Sequence, residues 1–426
     1  MPTEAEWTVF RKYARRMRKL IVDAEEDPVV VLFKPSKPSL YTANGPLFPK
    51  LESFKCENTS NAVIPFIPSF LSHKTTKIDI QFDEGLPAST VASMIARLPK
   101  LCPGLTYITF GPLPRDPVIT KAVSELLLSC NQDSLRCFRV DSPLTEVARE
   151  VVFQLPKLSA LWVVIQGHAQ IPPVALPNII MIDIQYDDHL DWLQGFRGAM
   201  LGGLEDFYFH SESEQIGDFL GEFTSMALTT SASATFSAFR FDTSQSWDPN
   251  YRSLLPFTQL KDLQIGFSCD DHCSSRVDDA IIEDLVQAMP KLEILKLGDA
   301  PCRARRGATV KGLVTLARGC RHLSTLCIHF QAASLGRVAT GPSAPSDDET
   351  VVRQQDCALT DLEVGEIPIS RDSVLEISMV LLQIFPRLLN IEYENERWQA
   401  VADNIELFQK IGTFVEHTGK VHLLYP

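Results

Sequence analysis

One short pattern recurs along this chain: a leading apolar residue, two variable positions, an apolar residue, one variable position and a second apolar residue. Clear copies are Leu51-Phe54-Cys56, Leu105-Ile108-Phe110, Leu135-Phe138-Val140, Leu158-Leu161-Val163, Ile179-Ile182-Ile184, Leu204-Phe207-Phe209, Leu260-Leu263-Ile265, Leu292-Leu295-Leu297, Leu323-Leu326-Ile328 and Leu388-Ile391-Tyr393. Weaker copies fit at Met17-Leu20-Val22, Thr75-Ile78-Ile80, Phe236-Phe239-Phe241 and Leu359-Leu362-Val364. The apolar-x-apolar ending has period two, which sends both side chains to one face of a short strand. One such strand cannot bury that face alone. Stacking many of them in parallel builds a continuous core, and this demand constrains the fold more than length does.

From Leu51 onward the leading positions lie 21 to 36 residues apart, a spacing that centres on about 28, close to that of leucine-rich repeats. Between the strands the period turns helical. Asp278-Asp279 opens a segment to Met289 in which Ile281, Ile282, Leu285, Val286 and Met289 form one stripe, with acid placed to cap the helix and meet its dipole. Pro290 stops it. Val118–Leu128, Thr145–Gln154, Val310–Gly319 and Ser373–Ile384 read the same way. The expected fold is therefore an α/β leucine-rich-repeat solenoid, a ribonuclease-inhibitor-like, right-handed βα horseshoe with a curved parallel sheet. Its expected parts are a cap helix over 1–16, the solenoid over 17–395 and a C-terminal cap over 396–426. The insertion at 339–352 is too rich in Pro, Ser and acid to pack and is expected to be disordered.

Bulk properties narrow the partners. A net charge of −13 repels phosphate backbones and anionic membranes, so neither nucleic acid nor membrane is expected. The N-terminus carries acid where a secretory signal carries base, and even the apolar stretch Val374–Phe385 is broken by Glu376, Ser378 and Gln383, too short and too polar to span a bilayer. The ten cysteines are scattered, and several stand where the repeat asks for a small apolar side chain. That usage fits free thiols in a reducing compartment, cytoplasm or nucleus.

Four copies open with a shared entry, Phe48-Pro49-Lys50-Leu51, Leu155-Pro156-Lys157-Leu158, Met289-Pro290-Lys291-Leu292 and Phe385-Pro386-Arg387-Leu388, and Cys320-Arg321-His322-Leu323 opens another. With the irregular unit length, these resemble the leucine-rich repeats of F-box proteins over nearly the whole chain. Glu6-Trp7-x-x-Phe10-x-x-Tyr13-Ala14-Arg15-Arg16-Met17-Arg18-x-Leu20 is similar to the segment after the F-box in fungal members. The resemblance implies substrate recognition in ubiquitin-dependent degradation, with a Skp-type adaptor and a cullin recruited through the F-box and a protein substrate held on the concave repeat face. One departure matters. The first repeat arrives at Met17, so the F-box itself is expected to be absent from this chain, either lost upstream or never part of a stand-alone repeat scaffold. Adaptor and cullin enter only if an F-box lies upstream; otherwise the expected assembly is a monomer that binds a protein partner.

The variable positions between and beside each apolar pair point to the concave face. In the middle of the array these are Trp162, Asp183, Gln185, Asp206, Tyr208, His210, Arg240, Asp242, Asp262 and Gln264. Trp, Tyr and Arg are the types most enriched at binding hot spots, although each of these is also an ordinary solvated strand residue. Cys269-Asp270-Asp271-His272-Cys273 lacks a second Cys/His pair at zinc spacing and reads as a polar loop. Arg303, Arg305, Arg306 and Lys311 read as a solvated basic loop, with a phosphate or acidic peptide as the alternative ligand. Ser346, followed by Asp347-Asp348-Glu349, has the form of an acidophilic phosphorylation site. The chain contains no phosphate-binding glycine loop, nucleophile elbow, His-Glu-x-x-His or dinucleotide fingerprint, so no catalytic, cofactor or metal residue is expected and the protein reads as a non-enzyme.

Overall fold

The computed structural model describes residues 4–23, 46–166, 174–186, 196, 199, 201, 203–212, 218–229, 235–244, 249–267, 277–298, 307–332, 334–335, 357–365 and 367–418. Every copy of the pattern becomes a strand. β1 (Lys19–Asp23), β2 (Ser53–Thr59), β3 (Lys77–Phe82), β4 (Tyr107–Gly111), β5 (Cys137–Pro143), β6 (Ala160–Ile165) and β7 (Met181–Tyr186) belong to one compact unit, Met1–Phe209 with Leu228–Ala232. β8 (Asp206–Ser211) contains the division. β9 (Ala238–Thr243), β10 (Asp262–Phe267), β11 (Ile294–Leu297), β12 (Thr325–Ile328), β13 (Asp361–Gly365) and β14 (Asn390–Tyr393) belong to the second unit, His210–Ala227 with Ser233–Pro426.

Within each unit the strands hydrogen-bond in chain order, and the registered pairs are parallel. The repeat sets the register. Phe54 and Cys56 stand beside Ile78 and Ile80, and those beside Ile108 and Phe110; in the second unit Leu263 and Ile265 stand beside Leu295 and Leu297. A shift of one residue would turn each apolar pair to the wrong face. These side chains are buried, Ile108, Phe138, Leu263 and Leu295 completely. The fold is the α/β leucine-rich-repeat solenoid that the pattern demands.

The residue after each leading position adds a second ladder. The Glu52 carbonyl accepts from the N–H groups of Thr76 and Lys77, the Thr76 carbonyl from Thr106 and Tyr107, and in the second unit the Ser324 carbonyl from Thr360 and Asp361. Ser and Thr hydroxyls reinforce it, Thr106 donating to the Thr76 carbonyl at 3.1 Å and Ser324 to the Glu293 carbonyl at 2.9 Å. The Pro-Lys entry has a local cause. In all four copies the leading Leu N–H donates to the carbonyl three residues back, Leu51 to Phe48, Leu158 to Leu155, Leu292 to Met289 and Leu388 to Phe385. Pro then occupies the second position of a turn, where its fixed φ is already correct.

Helices alternate with the strands along the chain: α1 (Glu4–Ala14), α2 (Ala88–Ile95), α3 (Pro117–Ser129), α4 (Glu146–Val152), α5 (Phe219–Thr229), α6 (Asp279–Ala288), α7 (Val310–Gly319), α8 (Val374–Ile384) and α9 (Arg397–Thr418). α3 starts one residue before the expected Val118, because Asp116 caps it through the Val118 N–H at 2.8 Å and Pro117 fills the first position. α4 is shorter than Thr145–Gln154; Thr145 stands outside as the cap residue and Phe153 ends it. Six phenylalanines, Phe219, Phe223, Phe236, Phe239, Phe241 and Phe257, fill the second unit between α5 and β9, with Phe219 stacked on Phe241 at 4.8 Å between ring centres. At the far end Trp398 of α9 is fully buried, edge-on to Phe330, and its indole N–H donates to the Ile367 carbonyl at 2.8 Å. No helix among the described residues is long and apolar enough to cross a membrane.

Candidate functional site

In each unit the variable positions alternate with the buried apolar pairs and lie on the other face of the strands, and the ten candidate residues fall on this face in two separate groups. Trp162, Asp183, Gln185, Asp206 and Tyr208 are in the first unit, His210, Arg240, Asp242, Asp262 and Gln264 in the second. Arg240 and Asp242 are exposed and the others half-buried.

In the first unit Trp162 has Asp183 beside it in register on β7, and the Arg139 guanidinium sits 5.0 Å from its ring centre. Lys77 stands 4.4 Å from the Tyr107 ring in the same way. Both are cation–π pairs that leave large rings on the open face already positioned. Asp79, beside Lys55 in register, has a buried Oδ1 without a hydrogen-bond partner. Burial pushes its carboxyl above the ordinary value, against the pull of Lys55. Arg139, Tyr107, Lys77 and Asp79 were not among the residues singled out from sequence, although each occupies the same variable positions on neighbouring strands.

In the second unit the candidates bond to one another. Arg240 donates from Nε at 3.0 Å and from Nη2 at 2.5 Å to one oxygen of Asp262, and Gln264 donates to the other at 2.9 Å. His210 Nδ1 lies 3.1 Å from Asp242 Oδ2. This hydrogen bond, more than the opposing effect of burial, holds the Asp242 carboxyl below the usual carboxylate range. Two further strands extend the group. Lys296 of β11 reaches past Cys327 of β12 to Glu363 of β13, Nζ to Oε2 at 2.6 Å. Cys327 is buried, and its short side chain leaves the bridge room to pass.

These residues surround a cavity of about 320 Å³ on the open face, with Arg240, Asp242, Lys296 and Glu363 on its walls and Gly266 and Gly298 on its floor. Gly266 opens it. Asp242 and Gly266 share a register row, and at Gly266 the place that would carry a side chain is empty; Gly298 follows the last registered pair of β10 and β11 at φ +90°, where a Cβ would meet the Phe267 ring at 3.1 Å. Lys296, Glu363 and the glycines follow the same rule that selected Arg240 and Gln264, carried further along the array.

Among the described residues no group of three or more His, Cys, Asp or Glu could hold a metal ion. Cys269–Cys273, Arg303, Arg305, Arg306 and Ser346, with the insertion at 339–352, lie outside the described residues; Lys311 lies in the first turn of α7. The described cysteines, Cys56, Cys102, Cys130, Cys137, Cys320, Cys327 and Cys357, are buried thiols outside any disulfide.

No family model matches the chain, and no curated protein matches it. Among solved structures it is similar to a chain of the "Crystal structure of Rad7 and Elc1 complex in yeast", at 13% identity and a TM-score of 0.40 over 72% of this chain and 88% of that one.

Proposed function

We propose that this protein is a protein-interaction module whose partner surface is the open face of its sheet. The observation that carries this is the Trp162 ring, half-buried among polar neighbours and held by Arg139 at 5.0 Å. A large ring positioned in this way on that face contributes contact area at little entropic cost on binding. Tyr208 and Arg240 add the other two hot-spot types. The chain performs no chemistry of its own in this reading, and α1 and α9 act as end caps of the solenoid. It works in cytoplasm or nucleus.

The finer proposal is substrate recognition of the F-box/leucine-rich-repeat type, feeding ubiquitin-dependent degradation; it rests on the Pro-Lys entry and the Trp7–Leu20 segment. A stand-alone scaffold is the alternative. Affinity purification with quantitative mass spectrometry separates them. Wild type and a control altered on the outer helix surface, Lys121→Ser, are expected to retain one set of partners that Trp162→Ala combined with Tyr208→Ala loses. If that double variant keeps every partner, the open face is not the binding surface. A Skp-type adaptor and a cullin among the retained proteins support the degradation role, and their absence from the full-length gene product leaves the scaffold.

A further inference from the structure

The cavity over Gly266 and Gly298 has a chemistry more specific than protein binding. Four carboxylates stand in or beside it, Asp242, Asp262, Glu363 and Glu392, the last in register with Glu363. Two cations face them, Arg240 and Lys296, each already bonded to one carboxylate. Among the described residues these carboxylates outnumber Arg240 and Lys296 by two, with His210 hydrogen-bonded to Asp242. Lys296 reports the same field. Burial works to lower its amine, yet the amine lies above its ordinary value because of the hydrogen bond and charge of Glu363, with smaller contributions from Cys327 and Glu392. The side chain of Asp242 is the most open of the ion-paired carboxylates around the cavity, 62% exposed against 13% for Asp262 and 20% for Glu363.

Shape agrees with charge. Glycine within a strand marks a place where another chain can approach the backbone closely. Gly298 is held at φ +90°, a conformation that itself calls for glycine, whereas Gly266 is not among the described glycines with positive φ. At about 320 Å³ the cavity is near the lower end of ligand pockets, a size suited to one long side chain and too small for an extended segment. A glycine floor accepts a methylene stem, and a carboxylate rim accepts its charged head.

We propose that this cavity is the anchor site for a single lysine or arginine side chain of the protein partner, its stem over Gly266 and Gly298 and its head at Asp242. The proposal rests on the open face being the partner surface. The probe is the heptapeptide Gly-Ser-Gly-Lys-Gly-Ser-Gly, with Arg and Gln versions, observed by saturation-transfer NMR on the full chain. Lys and Arg peptides are expected to bind about tenfold better than the Gln peptide, as charge-assisted contacts allow. Gly266→Leu changes no charge but fills the floor, so loss of that preference in this variant, with unaltered circular dichroism, separates a pocket from the general attraction of an acidic protein for a basic peptide. Equal binding of all three peptides, or an unchanged preference in folded Gly266→Leu, overturns the proposal. Should Gly266→Leu not fold, Asp242→Asn decides: a retained preference overturns it and an abolished one supports it. A partner lost by the Trp162/Tyr208 variant but indifferent to both cavity variants sinks the cavity proposal alone. A partner indifferent to the open-face variant sinks the broader reading first.

Discussion

Asp279 and Thr309 join the helix of one repeat to the start of the next. The carboxylate accepts from the Thr309 N–H at 2.7 Å and from its hydroxyl at 2.6 Å, while the same hydroxyl oxygen accepts from the Lys311 N–H at 3.1 Å and caps α7. One side chain therefore satisfies a backbone donor and orients the cap beside it. Replacing it with Ala leaves the Thr309 N–H without this acceptor, and such losses cost about 1–2 kcal/mol. Asp279→Ala is expected to lower the urea midpoint accordingly and Asp279→Asn to lower it less, because the amide keeps one acceptor oxygen. Equal midpoints for wild type and Asp279→Ala would show that the link contributes nothing.

The same two helices touch at glycine. A Cβ on Gly319 would lie 1.9 Å from Cγ1 of Val286, and one on Gly312 would lie 2.5 Å from Oδ1 of Asp279. Gly→Ala inside a helix ordinarily gains up to about 1 kcal/mol in propensity. Here the Val286 side chain or the helices must shift, and overpacking of this kind costs about 1–3 kcal/mol. Gly319→Ala is thus expected to destabilise despite better propensity, and Gly319→Ala with Val286→Ala to recover part of the loss. A double-mutant cycle on thermal unfolding reads the coupling directly. Additive effects would place the clash elsewhere.

Much of this architecture was legible in the sequence because one period governs it. Leu20-x-Val22 and Leu295-x-Leu297 are far apart and differ in every neighbour, yet both become strands, since parallel stacking leaves a short apolar-x-apolar segment only one way to be buried. The Pro-Lys entry was visible as a motif, but its role in a turn with a hydrogen bond to the carbonyl three residues back needed the backbone. The site was half legible. The variable position identified Arg240 and Gln264, whereas the cavity depends on what is absent, a side chain at Gly266, and absence carries no signal until the register places Gly266 beside Asp242. The Lys296–Glu363 bridge was hidden for a related reason. It skips a strand, and only the small, buried Cys327 between them makes it possible.

Trp398 is expected to hold the C-terminal repeat together. It is fully buried, edge-on to Phe330, and its N–H is satisfied by the Ile367 carbonyl. Truncation to Ala removes a large side chain and orphans that carbonyl, a change that costs about 3–5 kcal/mol in packed cores. Because repeat stability is nearly a sum of neighbour interfaces, the loss should stay local. Hydrogen exchange in Trp398→Ala is expected to accelerate through β13, β14 and α8 and to stay unchanged in β3 and β4. Uniform acceleration would instead mark the chain as a single cooperative block.

The buried thiols give a pH dependence with a definite sign. Burial pushes Cys102, Cys130 and Cys320 from the ordinary 9.0 up to about 12, and Cys56 up to about 11. In the unfolded chain these thiols ionise near their ordinary value, so the folded state binds the proton more tightly. Their contribution is fully present below pH 9 and falls as pH rises through the window from 9.0 to about 12. Urea unfolding at pH 8 and pH 10 is expected to show a drop in stability that becomes smaller in Cys320→Ala, since alanine has no proton to lose. Labelling gives an independent check. At pH 8 a thiol reagent, with modified sites mapped by mass spectrometry, should reach Cys56, Cys102, Cys130 and Cys320 only at the rate of unfolding, because the reactive thiolate is scarce and inaccessible in the fold. Rapid modification of Cys320 in native protein would contradict its burial, and an identical pH slope in Cys320→Ala would remove its thiol as a source of the alkaline loss.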